Sequence, residues 1–94
     1  QMCIRDRVLN ILFREGIIYL LVEGGSRIFS SFFELQCVDR VIFYIAPCIM
    51  ADSSSLPSLQ AKCSLPLKRI PHLKDVQVSR VGSDVRIEGD VIFR

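Results

Sequence analysis

A pair of glycines, Gly24-Gly25, lies where an apolar run ends and a helical pattern begins. Glycine lets the backbone turn sharply and approach a ligand closely, and the helix that follows directs its first unpaired N–H groups toward the same place. The hydroxyl of Ser26 and the charge of Arg27, in the first helical turn, add to the attraction for an anion. The pattern therefore fits a nucleotide phosphate site or a plain tight turn, and the spacing alone leaves both open.

An acidic residue, Glu23, stands at the very end of the apolar run. Because an unpaired carboxylate is costly to bury, this one must be exposed at a sheet edge, paired with a cation or held for a ligand. A solvated strand end explains the residue as well as a ligand contact does. The residues by themselves leave its role undecided.

The elements that must position this turn follow from hydrophobic periodicity. Apolar residues at helical spacing predict a short amphipathic helix over Val8–Glu15 that stops at Gly16. The continuous apolar run Ile17–Val22 predicts a strand buried on both faces. A second helix is predicted from Ser26, acting as its N-cap, to about Cys37.

The C-terminal part of the chain predicts strands separated by a long loop. Val38–Ala46 is a strongly apolar strand, and Ala51–Pro71 carries so many turn residues that we expect a loop with at most one helical turn. Alternating apolar residues on both sides of Gly82-Ser83-Asp84 predict an antiparallel hairpin. The sum is an α/β fold in which a βαβ unit, with Tyr19 and Tyr44 in its core, precedes that hairpin.

Composition excludes several classes of protein. The 94 residues, 50% hydrophobic and 23% charged, suit one small globular domain. A net charge of +2 from scattered basic residues argues against nucleic-acid binding, and the apolar runs are far shorter than the ~20 residues of a membrane span. With one histidine and no CxxC pair, we expect no metal site, and reduced cytoplasmic thiols at the four cysteines: Cys3, Cys37, Cys48 and Cys63.

Several separated motifs can be compared with known families. They are Leu20-Leu21-Val22-Glu23-Gly24-Gly25, Phe32-Phe33, Val38-Asp39-Arg40, Tyr44-Ile45-Ala46-Pro47 and Val81-Gly82-Ser83-Asp84-Val85-Arg86-Ile87. In combination they resemble the reductase domain of the bifunctional riboflavin-biosynthesis deaminase-reductase family, from about Val8 to the end of the chain. The last motif is similar to the hairpin that closes that domain.

The resemblance implies a C-terminal part of a dihydrofolate-reductase-like, three-layer domain with a mixed sheet. It also implies NADPH-dependent reduction of the ribosyl chain of 5-amino-6-(5-phosphoribosylamino)uracil to the ribityl chain. By the same resemblance Glu23 contacts the substrate, and eight residues line the NADPH phosphates: Gly24, Gly25, Ser26, Arg27, Ile28, Phe29, Ser30 and Ser31. Folate reductases usually have an apolar residue or glycine at the position of Glu23, which favours the riboflavin branch.

The first seven residues show neither a targeting pattern nor a structural period, and we expect them to be a non-native lead. Residues 8–94 are then a partial reductase domain whose N-terminal half is missing, so the chain alone is expected to be inactive. The full-length protein is expected to be a cytoplasmic homodimer, and the zinc-deaminase motif is absent from this chain. A non-catalytic fragment that serves folding or dimerisation, with an incomplete nucleotide site, is the alternative hypothesis.

Overall fold

The computed structural model describes residues 4–60 and 69–93, with side chains from residue 7 onward. Within these ranges two helices precede a three-stranded antiparallel sheet of order β1-β3-β2. The elements are α1 (Ile4–Arg14), α2 (Ser26–Glu34), β1 (Arg40–Ile45), β2 (His72–Val81) and β3 (Asp84–Ile92). The predicted α/β class and the C-terminal antiparallel hairpin are therefore confirmed.

Helix α1 ends at Arg14, one residue before the predicted Glu15, and begins four residues before the predicted Val8. Gly16 takes a φ of 86° and donates its amide to Phe13 O at 3.0 Å. The amide of Ile17 reaches back to Leu12 O, also at 3.0 Å. These two bonds satisfy two of the last carbonyls of the helix, and glycine takes the left-handed turn without steric cost.

Helix α2 ends in the same kind of turn without a glycine. Gln36, with a φ of 56°, donates to Phe33 O, and Cys37 donates to Phe32 O, each at 3.0 Å. A side chain in the left-handed region is strained, and here the two hydrogen bonds hold it. The helix is therefore shorter than predicted, since the chain turns away toward β1 after Glu34.

The prediction of a strand at Ile17–Val22 is wrong. The segment pairs with no strand of the described residues, and its side chains from Ile17 to Leu21 are 43% to 91% exposed. A continuous apolar run indicates tolerance for burial on both faces, but a strand also needs neighbours for its backbone hydrogen bonds. The sheet of the described residues is accordingly antiparallel throughout and lacks the predicted parallel βαβ unit.

Phe32 is the buried hydrophobic residue of the described part, at 9% exposure. Beside it, Phe33 packs edge-on against Phe93 with ring centroids 5.9 Å apart, which ties α2 to the end of the central strand. The two tyrosines predicted in the core are instead on the surface, with Tyr19 91% and Tyr44 60% exposed. The phenol oxygen of Tyr44 accepts a hydrogen bond from Arg86 Nε at 3.3 Å, so its polar end has a partner on the neighbouring strand.

The hairpin of β2 and β3 turns at Gly82, whose φ of 61° is positive while that of Ser83 is not, as in a type II′ turn. Farther along, β2 bulges, so that Asp75 and Val76 lie opposite the single residue Gly89. A Cβ at Gly89 would come within 3.1 Å of the Leu73 side chain and 3.3 Å of Val76. The missing side chain of Gly89 therefore makes room for the bulge.

The long loop is confirmed as far as the structure describes it, since residues 46–60 contain neither helix nor strand. Its remainder up to residue 68 lies outside the described residues, as do Cys3 and Cys63. Cys37 and Cys48 carry exposed thiols. Neither described helix is long and apolar enough to cross a membrane.

Candidate nucleotide-binding site

An open cleft of about 490 Å³ lies at the N-terminus of α2. One wall is the start of the helix and the other comes from the loop that follows β1. The lining residues are Gly25, Ser26, Arg27 and Ile28 on the helix side and Leu56 and Gln60 on the loop side. The cleft thus joins the glycine pair to a segment that is distant in the sequence.

The first backbone amides of α2 belong to residues that line this cleft. Phe29 is the first residue to donate a helical hydrogen bond, to Gly25 O at 3.0 Å. The amides of the three preceding residues, Ser26 to Ile28, therefore come before the first helical bond. The N-cap is Gly25, so the prediction that Ser26 caps the helix is wrong. Its hydroxyl instead donates across the cleft to Gln60 Oε1 at 3.2 Å.

Different physical reasons explain why Gly24 and Gly25 are glycines. Gly24 has a φ of 124°, which a side chain rarely adopts, and a Cβ there would lie 3.3 Å from the ring of Phe29. Gly25 has an ordinary extended φ of −82°, and a Cβ there would meet nothing within 4 Å. The chain itself therefore explains Gly24, whereas Gly25 leaves open space next to the helix N-terminus. That is the position at which a side chain would obstruct a ligand.

The two serines at the far end of the implied set use their hydroxyl protons within the protein. Ser30 is 3% exposed and donates to Ser26 O at 2.8 Å, while it accepts a hydrogen bond from Gln60 N. Ser31 donates to Arg27 O at 2.9 Å along the helix. Neither hydroxyl lines the cleft.

Four of the residues implied by the resemblance, Gly25 to Ile28, are thus brought together in the cleft. Glu23 and Gly24 precede it along the chain, and Glu23 is exposed. Phe29 is half-buried against Gly24. The roles of all nine residues in binding stay predictions.

Leu56 and Gln60 are members of the cleft that the sequence does not predict. They belong to the long loop, and the hydrogen bond from Gln60 to Ser30 spans 30 residues. A local pattern carries no information about such a contact, because nothing in a Ser- and Pro-rich loop specifies which helix it will touch. Only the tertiary structure reveals this wall.

The charge of the cleft is positive. Arg27 is exposed in the first helical turn, where α2 has no acidic residue. The helix macrodipole adds a partial positive charge at the same end. The cleft can therefore attract and hold an anion through backbone amides and one guanidinium group.

A network of ion pairs lies on the sheet. Alternate residues of a strand point to the same face of the sheet, so Glu88 and Asp90 on β3 share a face with Arg40 on β1. Arg40 contacts Glu88 at 3.0 Å and Asp90 at 2.9 Å. Glu88 also accepts from Arg86 at 2.8 Å. These contacts, with the hydrogen bond from Arg86 first, hold the pKa of Glu88 below its ordinary value although partial burial opposes the shift. The network joins β1 to β3.

A glycine-rich turn, a helix N-terminus and a positive cleft form the arrangement with which nucleotide-binding α/β proteins hold phosphate groups. Comparison with known proteins makes the classification specific. The family described as the RibD C-terminal domain matches residues 5–87, so the chain belongs to that family. This domain is dihydrofolate-reductase-like, which confirms the expected fold class.

Individual relatives agree with the family match. The riboflavin biosynthesis protein RibD of Bacillus amyloliquefaciens is 30% identical over 95 aligned positions, covering 93% of this chain and 26% of that protein. RibD of Chlamydia muridarum is 32% identical over 80 positions, covering 85% and 21%. RibD of Aquifex aeolicus is 30% identical over 80 positions, covering 85% and 22%. The chain spans about a quarter of the length of these curated relatives.

Proposed function

We propose that the protein carrying this chain is a cytoplasmic reductase of riboflavin biosynthesis. Its reaction is the NADPH-dependent reduction of the ribosyl chain of 5-amino-6-(5-phosphoribosylamino)uracil to the ribityl chain. The observation that carries the proposal is the RibD C-terminal domain match over residues 5–87, which includes the cleft-lining start of α2. The same match supports this proposal over a non-catalytic fragment. The homodimer stays a prediction.

The proposed role of the cleft is to bind a phosphate group of NADPH. The amides of Ser26, Arg27 and Ile28 and the guanidinium of Arg27 supply donors and positive charge, and Gly25 leaves room for close approach. NADPH supplies the hydride when it is bound. The protein contributes orientation and electrostatics, because hydride transfer requires the two reacting carbons to be held together.

Glu23 is proposed to contact the substrate. Its exposed carboxylate stands immediately before the glycine pair, so it is close in sequence to the cofactor wall without being part of it. A carboxylate at that place can accept hydrogen bonds from the sugar hydroxyls or stabilise positive charge that develops as the sugar ring opens.

Substitution at Gly25 tests the cofactor site. NADPH is titrated into the chain and its fluorescence is followed, for the unmodified protein and for Gly25→Asp and Gly25→Asn. Both side chains enter the same open space, but only Asp brings a negative charge beside the phosphate, and like charges in contact cost several kcal/mol. We expect Gly25→Asp to weaken binding by about a hundredfold and Gly25→Asn by less. Equal binding by all three proteins would exclude the cleft as the phosphate site.

The substrate contact is tested in the full-length protein encoded by the gene that carries this sequence. Glu23→Gln keeps the shape and removes the charge, so turnover should fall by about 10² to 10³-fold if the charge stabilises the transition state at the reacting sugar. A smaller effect confined to KM for the substrate indicates anchoring of the hydroxyls. Unchanged turnover and unchanged KM would remove Glu23 from the site.

A further inference from the structure

Ser30 makes a connection that its neighbour Ser31 does not make. Both serines donate to the backbone carbonyl oxygen of the residue four positions earlier, as serines inside helices commonly do. Ser30 is also 3% exposed and accepts the backbone amide of Gln60 from the distant loop. Its single hydroxyl therefore joins the first turns of α2 to the opposite wall of the cleft.

The donor capacity of this hydroxyl is fully used. A serine hydroxyl has one proton to donate, and that of Ser30 goes to Ser26 O at 2.8 Å. It has no second proton for a phosphate oxygen, and its burial keeps it away from the open cleft. Contact with the cofactor is therefore a poorer explanation of this serine than support of the protein around the cofactor.

Among the described residues, hydrogen bonds to Gln60 attach the loop wall to α2. Near its start, Asp52 Oδ1 accepts from the amide of Ser54 at 2.9 Å and from its hydroxyl at 2.7 Å, so this turn is ordered by its own residues. At the other end, Gln60 is joined to the helix through its amide, which donates to Ser30, and through its side chain, which accepts from Ser26. The second of these bonds is exposed to water and weaker for that reason.

We propose that Ser30 is a positioning residue, which fixes the backbone at Gln60 so that the loop supplies the second wall of the cleft. The proposal rests on the proposed function for the identity of the ligand, NADPH. The structural part concerns this chain alone. In this proposal Ser30 influences cofactor binding by holding the loop that carries Gln60 and Leu56, and it does not contact the cofactor itself.

Amide hydrogen exchange tests the structural part. In Ser30→Ala the amide of Gln60 loses its acceptor, and its exchange should accelerate about fivefold, the factor that corresponds to one hydrogen bond of ordinary strength. Ser31→Ala is the matched control, because it removes the same kind of helical bond without a contact to the loop. The proposal is overturned if the Gln60 amide exchanges equally fast in the unmodified protein and in Ser30→Ala, or if Ser31→Ala accelerates it as much.

NADPH titration tests the consequence for binding. We expect Ser30→Ala to raise the Kd about fivefold, in proportion to the loss of Gln60 protection, whereas Ser79→Ala on β2, outside the cleft, leaves it unchanged. In the full-length protein KM for NADPH should rise while kcat is kept, since the hydroxyl touches no reacting atom. Lost Gln60 protection with an unchanged Kd overturns the positioning role. If the unmodified full-length protein binds no NADPH, the proposed function is contradicted, and hydrogen exchange still decides whether Ser30 orders the loop.

Discussion

The ends of the two helices provide a matched experiment on backbone strain. Gly16 and Gln36 occupy equivalent positions, with φ of 86° and 56° and the same pair of hydrogen bonds around them. A side chain in the left-handed region costs about 1–2 kcal/mol, and the greater freedom of glycine in the unfolded chain offsets about 0.5–1 kcal/mol of that. We therefore expect Gln36→Gly to raise the free energy of unfolding by about 0.5–1 kcal/mol, and Gly16→Ala to lower it by a similar amount.

A Cβ at Gly16 would meet nothing within 4 Å, so Gly16→Ala changes the backbone conformational energy without creating a steric clash. Thermal unfolding followed by circular dichroism measures both variants, and 1 kcal/mol corresponds to about 4–8 °C in Tm for a domain of 60–100 residues. Gly16→Asn is the control, since asparagine tolerates the left-handed region and should lose less than alanine. The reasoning is refuted if Gly16→Ala is as stable as the unmodified protein, or if Gln36→Gly is less stable.

Two further predictions concern the sheet. Gly89→Ala places a Cβ 3.1 Å from Leu73, and overpacking of this kind should lower the free energy of unfolding in urea by about 1–3 kcal/mol; an unchanged unfolding midpoint would contradict the account of the bulge. Glu88 has a pKa held below its ordinary value of 4.5, so the stability that it contributes is present above that pH and is lost as the pH falls through the lowered value. The stability difference between the unmodified protein and Glu88→Gln should thus be constant at neutral pH and shrink in acid, and a difference independent of pH would show that ionisation of Glu88 plays no part.

Local signals predict the elements that local interactions create. Gly16 marks the end of α1 because its conformation is set by its own backbone, and the turn at Gly82 closes a hairpin between strands that follow each other directly. The run Ile17–Val22 is different, because strand formation depends on partners that periodicity does not specify. Gln60 is different for the same reason, since its place beside Ser30 is a tertiary contact. The sequence therefore predicts one wall of the cleft and not the other.

The start of α2 departs from the rules that stabilise helices, and the departures coincide with the cleft. Its N-cap, Gly25, has no side chain to accept an orphan amide, its first turn contains no acid, and Arg27 places a positive charge at the positive end of the helix dipole. Each feature costs the isolated helix stability, and each would favour a bound phosphate, which supplies both the acceptors and the negative charge that are lacking. Residues that break local rules together at one place are expected at functional sites rather than in structural ones. This coincidence is a physical argument, independent of the family match, in support of the proposal that Gly25 to Ile28 hold a phosphate group of the cofactor.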